Sequence, residues 1–184
     1  MGFLIFVIVL IVAGVLFVAG LYNGLVQARN QVGNAWSQID VQLKRRADLV
    51  PNLVETVKGY ASHEQEVFDQ VAKSRQAMMS AQTPDEGAEA ANMMSQALGR
   101  LFAISEAYPD LKANENFRVL QEELSAVENK IAYARQFYND AVLQFNNAIE
   151  TVPGVFLAGP MGKKEHVFLE IPEGDRETPQ VSFS

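Results

Sequence analysis

The chain has 184 residues, enough for about one domain, with no cysteine and a formal net charge of -7. The missing cysteines exclude disulfides, thiolate metal sites, thiol nucleophiles and a lipid-modified cysteine. The acidic balance argues against nucleic acid as a partner, because phosphate binding needs a basic face that releases counterions.

The first element is "FLIFVIVLIVAGVLFVAGL", residues 3–21, 19 positions without a charge. At 1.5 Å per residue it is about 28 Å long, which suffices to cross the hydrocarbon core of a bilayer. Its bulky residues, Phe3, Leu4, Ile5, Phe6, Leu10, Leu16, Phe17 and Leu21, are the expected lipid contacts. Only Met1 and Gly2 precede the run, with no positive leader, so an uncleaved anchor over residues 1–22 is expected. The first cations, Arg29, Lys44, Arg45, Arg46 and Lys58, all follow the span, which predicts a single-pass protein with its N-terminus outside and its bulk in the cytoplasm.

From Val32 the apolar residues Trp36, Ile39, Leu43, Ala47, Val50, Val54 and Val57 recur in steps of three and four, one face of an α-helix. Pro51 lies inside this series without shifting its phase. Proline lacks a backbone donor and presses on the carbonyl four residues back, so the helix is expected to bend there; the alternative is a new helix that starts at Pro51. "SHEQ" at 62–65 has the form of a capping box and predicts the start of a second helix, with His63 in its first turn. In "QTPDE", Thr83 is a cap, Pro84 a first helical position and Glu86 the reciprocal partner, so a third helix starts there and ends before Pro109.

The fourth helix is the most regular: Phe117, Leu120, Leu124, Val127, Ile131, Ala134, Tyr138, Ala141, Phe145 and Ala148 form a coiled-coil-like seam, and Phe137, Val142 and Ile149 widen it. Asn114 is its expected cap. Trp36 and the methionines Met78, Met79, Met93 and Met94 are expected to pack in the core. The fold class is therefore all-α: an N-terminal transmembrane helix, then an antiparallel four-helix bundle over 23–151 with long first and fourth helices.

Residues 152–184 form an irregular C-terminal segment. In "TVPGVFLAGPMGKK" the candidate interface residues Val155, Phe156, Leu157 and Met161 can dip into a membrane surface while Lys163 and Lys164 meet anionic headgroups; a loop folded against the bundle base is the equal alternative. "HVFLEI" fits a short strand, and the acidic tail "PEGDRETPQVSFS" fits a segment that is mobile or binds a protein partner.

"YNGLVQARNQVGNAWSQIDVQLKRRADLVPNLVETVKGYASHE" together with "YARQFYNDAVLQFNNAIETVP" behind a single N-terminal span resembles the LemA family of bacterial membrane-anchored helical proteins, over nearly the whole chain. The resemblance implies a cytoplasmic four-helix domain behind an N-out anchor in the bacterial inner membrane, and kinship with proteins associated with magnetosome membranes. Arg45, Arg46, Asp48, Leu49, Pro51, Asn52, Leu53, Val54 and His63 match its signature, with no catalytic role attached.

No catalytic, cofactor or metal site is expected. Di-metal bundles use Glu-x-x-His pairs, but Tyr60 and Lys163 stand three residues before the two histidines. His63-Glu64 lacks the second histidine of a zinc-protease helix, since position 67 is valine. Glycine-rich phosphate loops and nucleophile elbows are missing too. Arg45, Arg46 and Asp48 are expected to form a solvated or interhelical charge network near the bend. The function that fits is a membrane-anchored, homo-oligomeric scaffold that organises or shapes the bilayer. The alternative is an adaptor for a membrane or cytosolic partner such as a protease or transporter.

Overall fold

A computed structural model describes residues 1–170 of the chain, and the acidic tail from Pro172 on lies outside them. The elements are α1 (Gly2–Lys58), α2 (Gln65–Ser80), α3 (Pro84–Ser105), α4 (Pro109–Lys112), α5 (Glu115–Glu150) and α6 (Val155–Ala158), with no strand among the described residues.

The apolar N-terminal run and the amphipathic stretch that follows it are one continuous helix. α1 has 57 residues and a length of about 86 Å. Nothing in "YNGLVQARNQ", residues 22–31, stops a helix: it has one glycine and no proline, and a helix once formed gains a bond with each added residue. The helix also continues through Pro51, so no second helix starts there. Residues 3–21 are exposed apart from a half-buried Val7 and Leu21, and the first buried position of α1 is Leu25.

Two other helix starts differ in outcome. Thr83 Oγ1 accepts from the Glu86 amide at 3.3 Å, while the Glu86 carboxylate accepts from the amides of Gln82 at 2.8 Å and Thr83 at 3.3 Å, which is the expected capping box. The "SHEQ" box does not form. Ala61 is buried and its amide is bonded to the Val57 carbonyl, so the chain is still closing off α1 there. Ser62 and His63 occupy a turn, α2 starts only at Gln65, and the Gln65 side chain donates to the Ser62 carbonyl at 3.3 Å. Asn114 does cap α5, accepting from the Phe117 amide at 3.0 Å.

The chain divides into two compact units, and α1 and α5 contribute to both. The first consists of Met1–Ser37 and Gln136–Phe168, with a core of Leu25, Val32 and Ala35 from α1, Tyr138, Ala141, Val142, Phe145 and Ile149 from α5, and Ala158 of α6. The second comprises Gln38–Arg135 and the described residues from Leu169 on. Its core takes Ile39, Leu43, Ala47, Val50, Leu53 and Val57 from α1, Phe68, Val71 and Met78 from α2, Met94, Leu98 and Leu101 from α3, and Phe117, Leu124, Val127 and Ile131 from α5. α2 and α3 pack against each other.

Several apolar expectations are corrected in detail. Met78 and Met94 are buried but their neighbours Met79 and Met93 are exposed, since adjacent residues on a helix are about 100° apart and cannot share a face. Phe137 is exposed, and Trp36, Val54, Leu120 and Ala148 are only half-buried, while Leu53 is fully buried. No strand forms over the described residues of "HVFLEI". The His166 amide donates to Asn146 Oδ1 at 3.0 Å and its carbonyl accepts from Asn146 Nδ2 at 2.9 Å. A side-chain amide on α5 thus takes both backbone groups that a neighbouring strand would have used.

Candidate functional site

The signature segment after Lys44 lies in the second unit and presents three kinds of position. Arg45, Asp48 and Asn52 are exposed. Leu53 is buried in the core, with Leu49 and Val54 half-buried beside it. Arg46 and the backbone around Pro51 tie α1 to its neighbours.

Arg46 is 4% exposed. Its guanidinium meets Glu128 of α5 at 2.6 Å and donates to Ser95 Oγ of α3 at 3.1 Å. Burial lowers the pKa of Arg46, the Glu128 carboxylate opposes that shift, and the nearby Arg135 adds to it. Arg46 Nε and Gln42 Oε1 are buried without a hydrogen-bond partner, so this polar layer costs desolvation energy as well as supplying specific contacts. Arg45, Arg46 and Asp48 therefore do not act as one network: Arg46 alone turns inward, because it lies on the buried side of the helix between Leu43 and Val50.

At Pro51 the missing amide leaves the Ala47 carbonyl without its usual intrahelical donor. Arg75 Nε of α2 donates to that carbonyl at 2.9 Å. The proline in α1 thereby creates the acceptor that docks α2. Nearby, Thr56 Oγ1 donates to the Asn52 carbonyl at 2.8 Å. His63 stays exposed in the α1–α2 turn. Among the described residues no group of three or more His, Asp or Glu side chains converges in a way that can hold a metal ion.

The first unit holds the other candidate residues. Beyond Glu150 the chain turns through Thr151–Gly154 into the one-turn helix α6. Gly154 is obligatory in this turn, because a Cβ there would collide with the Ala148 carbonyl. Gly154 and Ala158 are buried, Leu157, Met161 and Lys163 are half-buried, and Val155, Phe156 and Lys164 are exposed. After the positive-φ Gly162, the Asn146 clasp holds His166, whose ring meets Phe145 edge-on at 5.1 Å between centroids. Burial, with a smaller contribution from Arg29, lowers the His166 pKa.

Sequence periodicity missed Arg46, Arg135 and Asn146 as buried polar residues. The usable signal was position: each falls in phase with the apolar stripe of its helix, Arg46 between Leu43 and Val50, Arg135 between Ile131 and Tyr138, and Asn146 between Val142 and Ile149.

The chain is similar to several proteins along most of its length. It is 26% identical to the magnetosome protein MamQ of Magnetospirillum gryphiswaldense over 87% of this chain and 70% of the relative. It is also 26% identical to the magnetosome protein MamQ 2 of Paramagnetospirillum magneticum over 95% of this chain and 76% of the relative. To the protein LemA of Metamycoplasma hominis it is 27% identical, over 72% of this chain and 61% of the relative. The sequence model of the LemA family matches residues 35–183, from Ala35 within α1 to the tail, and the chain belongs to that family.

Proposed function

We propose that this protein is a membrane-anchored helical scaffold, with residues 3–21 of α1 crossing the bacterial inner membrane and the remaining helices forming an antiparallel four-helix bundle in the cytoplasm. The observation that carries this reading is the exposure of the apolar run: α1 has the hydropathy of a membrane span, and none of that window is buried by the rest of the chain. An apolar surface of that extent exposed to water is far larger than a soluble monomer carries, and lipid is the environment that removes the cost. Kinship with proteins named for the magnetosome supports a role in organising membrane.

Self-association is the second part of the reading. Tyr133 in the second unit and Phe137 in the first are 73% and 67% exposed, each an aromatic side chain suited to burial against another copy. The proposed role is one of structure and position, not catalysis.

The experiment is native mass measurement of the full chain in lipid nanodiscs, with Tyr133→Ser/Phe137→Ser beside the wild type. Oligomers that dissociate in the double variant are expected. A strictly monomeric wild type, with cellular crosslinking dominated by a different protein, would replace the scaffold by an adaptor.

A further inference from the structure

The structure points to a second membrane contact on the loop after α5. We infer that Val155 and Phe156 enter the headgroup region of the leaflet from which α1 emerges, with Lys163 and Lys164 on its anionic lipids. This rests on the anchoring proposed above for residues 3–21, and adds a surface contact to the span.

The exposed apolar residues are a built feature of the loop. α6 is packed on one side through buried Gly154 and Ala158, and the Ala148 carbonyl occupies the space that a Cβ at Gly154 would need. This turn leaves Val152, Val155 and Phe156 73%, 41% and 71% exposed. Apolar side chains grouped on one short turn, rather than scattered singly, are the pattern of a contact surface. Beside them, residues 151–164 contain two lysines and no acid, in a chain that has 22 acidic residues.

Placement favours the lipid surface. The loop belongs to the same unit as residues 1–37, which include the whole apolar run. The far end of the loop returns to His166, which lies close enough to Arg29 to be affected by its charge. Arg29 is eight residues after Leu21, about 12 Å along α1. α5 from Gln136 on shares a unit with residues 1–37 of α1, so the chain beyond Glu150 continues within the unit that holds the span. Apolar tips with flanking lysines are what an anionic interface binds, the lysines by attraction to the negative headgroups and the aromatic by burial below them.

The test uses single-tryptophan versions of the full chain, made in a Trp36→Phe background and reconstituted into vesicles of phosphatidylcholine and phosphatidylglycerol with bromine-labelled acyl chains. Phe156→Trp reports the loop, Leu10→Trp the span and Val119→Trp a water-exposed site on α5. Circular dichroism first establishes that each variant has wild-type helicity. Quenching of Phe156→Trp at least about threefold above Val119→Trp is expected, reduced when Lys163→Glu/Lys164→Glu is added, since each lysine contributes about fivefold in surface affinity. Quenched Leu10→Trp with Phe156→Trp no better quenched than Val119→Trp overturns the loop contact and leaves the anchor intact. Unquenched Leu10→Trp removes the anchor and this inference with it. A blue-shifted but unquenched Phe156→Trp means that protein covers the loop, and also overturns the inference, as does quenching indifferent to the charge reversal.

Discussion

Arg75 on α2 donates a hydrogen bond to the carbonyl of Ala47 on α1, the acceptor that Pro51 leaves unfilled four residues later. The cost of a helix-breaking residue is partly offset here by the bond that Arg75 supplies to the freed carbonyl. Arg75→Ala should destabilise the domain by about 1.5–2 kcal/mol, at the low end for a bond from a charged donor. In a Pro51→Ala background, where the Ala47 carbonyl regains a backbone donor, the same change should cost distinctly less. Denaturant unfolding of the four members of this cycle in detergent measures the coupling; equal costs in both backgrounds would separate the proline from the arginine.

The Arg46–Glu128 pair predicts an asymmetric response. Glu128→Ala leaves a buried guanidinium with one hydrogen bond to Ser95, and a loss of about 2–3 kcal/mol is expected, at or below the low end for a broken buried pair because the Glu128 side chain is 42% exposed. Arg46→Met/Glu128→Leu removes both charges and the desolvation they cost, and should recover most of that loss. Thermal melting followed by circular dichroism distinguishes the two.

The two helix starts with capping sequences should respond differently to alanine. Thr83→Ala removes a side chain that accepts the Glu86 amide and should cost about 1 kcal/mol. Ser62→Ala removes a hydroxyl that caps nothing, as α2 begins only at Gln65, and should stay within about 0.5 kcal/mol. Chemical denaturation of both variants provides the comparison.

Acid should loosen the C-terminal arm. Burial, with Arg29 nearby, lowers the folded pKa of His166, so the unfolded arm binds a proton more readily than the docked one. The docked state therefore has its full stability above about pH 6.5, the unfolded histidine value, and loses stability as the pH falls from there through the folded value. Hydrogen exchange at the His166 amide, corrected for intrinsic rates, should quicken on acidification in the wild type and lose that response in His166→Phe, which retains a ring against Phe145. Asn146→Leu removes both clasping bonds and should speed exchange there at every pH.

The amino-acid order by itself determined much of this protein. An uncharged run of 19 residues, the three-and-four spacing after it, and the "QTPDE" and Asn114 caps locate α1, α3 and α5, because helix period and end chemistry are local. The family, too, was legible in the segment around "RRADLVPNLVETV". Local rules could not decide where helices merge or which polar groups turn inward. Whether residues 22–31 break or continue depends on cooperative propagation between two strong helical segments, and "SHEQ" failed as a cap because Ala61 was already committed to the end of α1. Only tertiary structure decided that Arg46 reaches Glu128, that Arg75 fills the vacancy made by Pro51, and that Asn146 substitutes for a neighbouring strand. Those choices pair groups 20 to 82 residues apart, and their worth lies in giving partners to donors and acceptors that packing has taken from water, which no window along the chain can display.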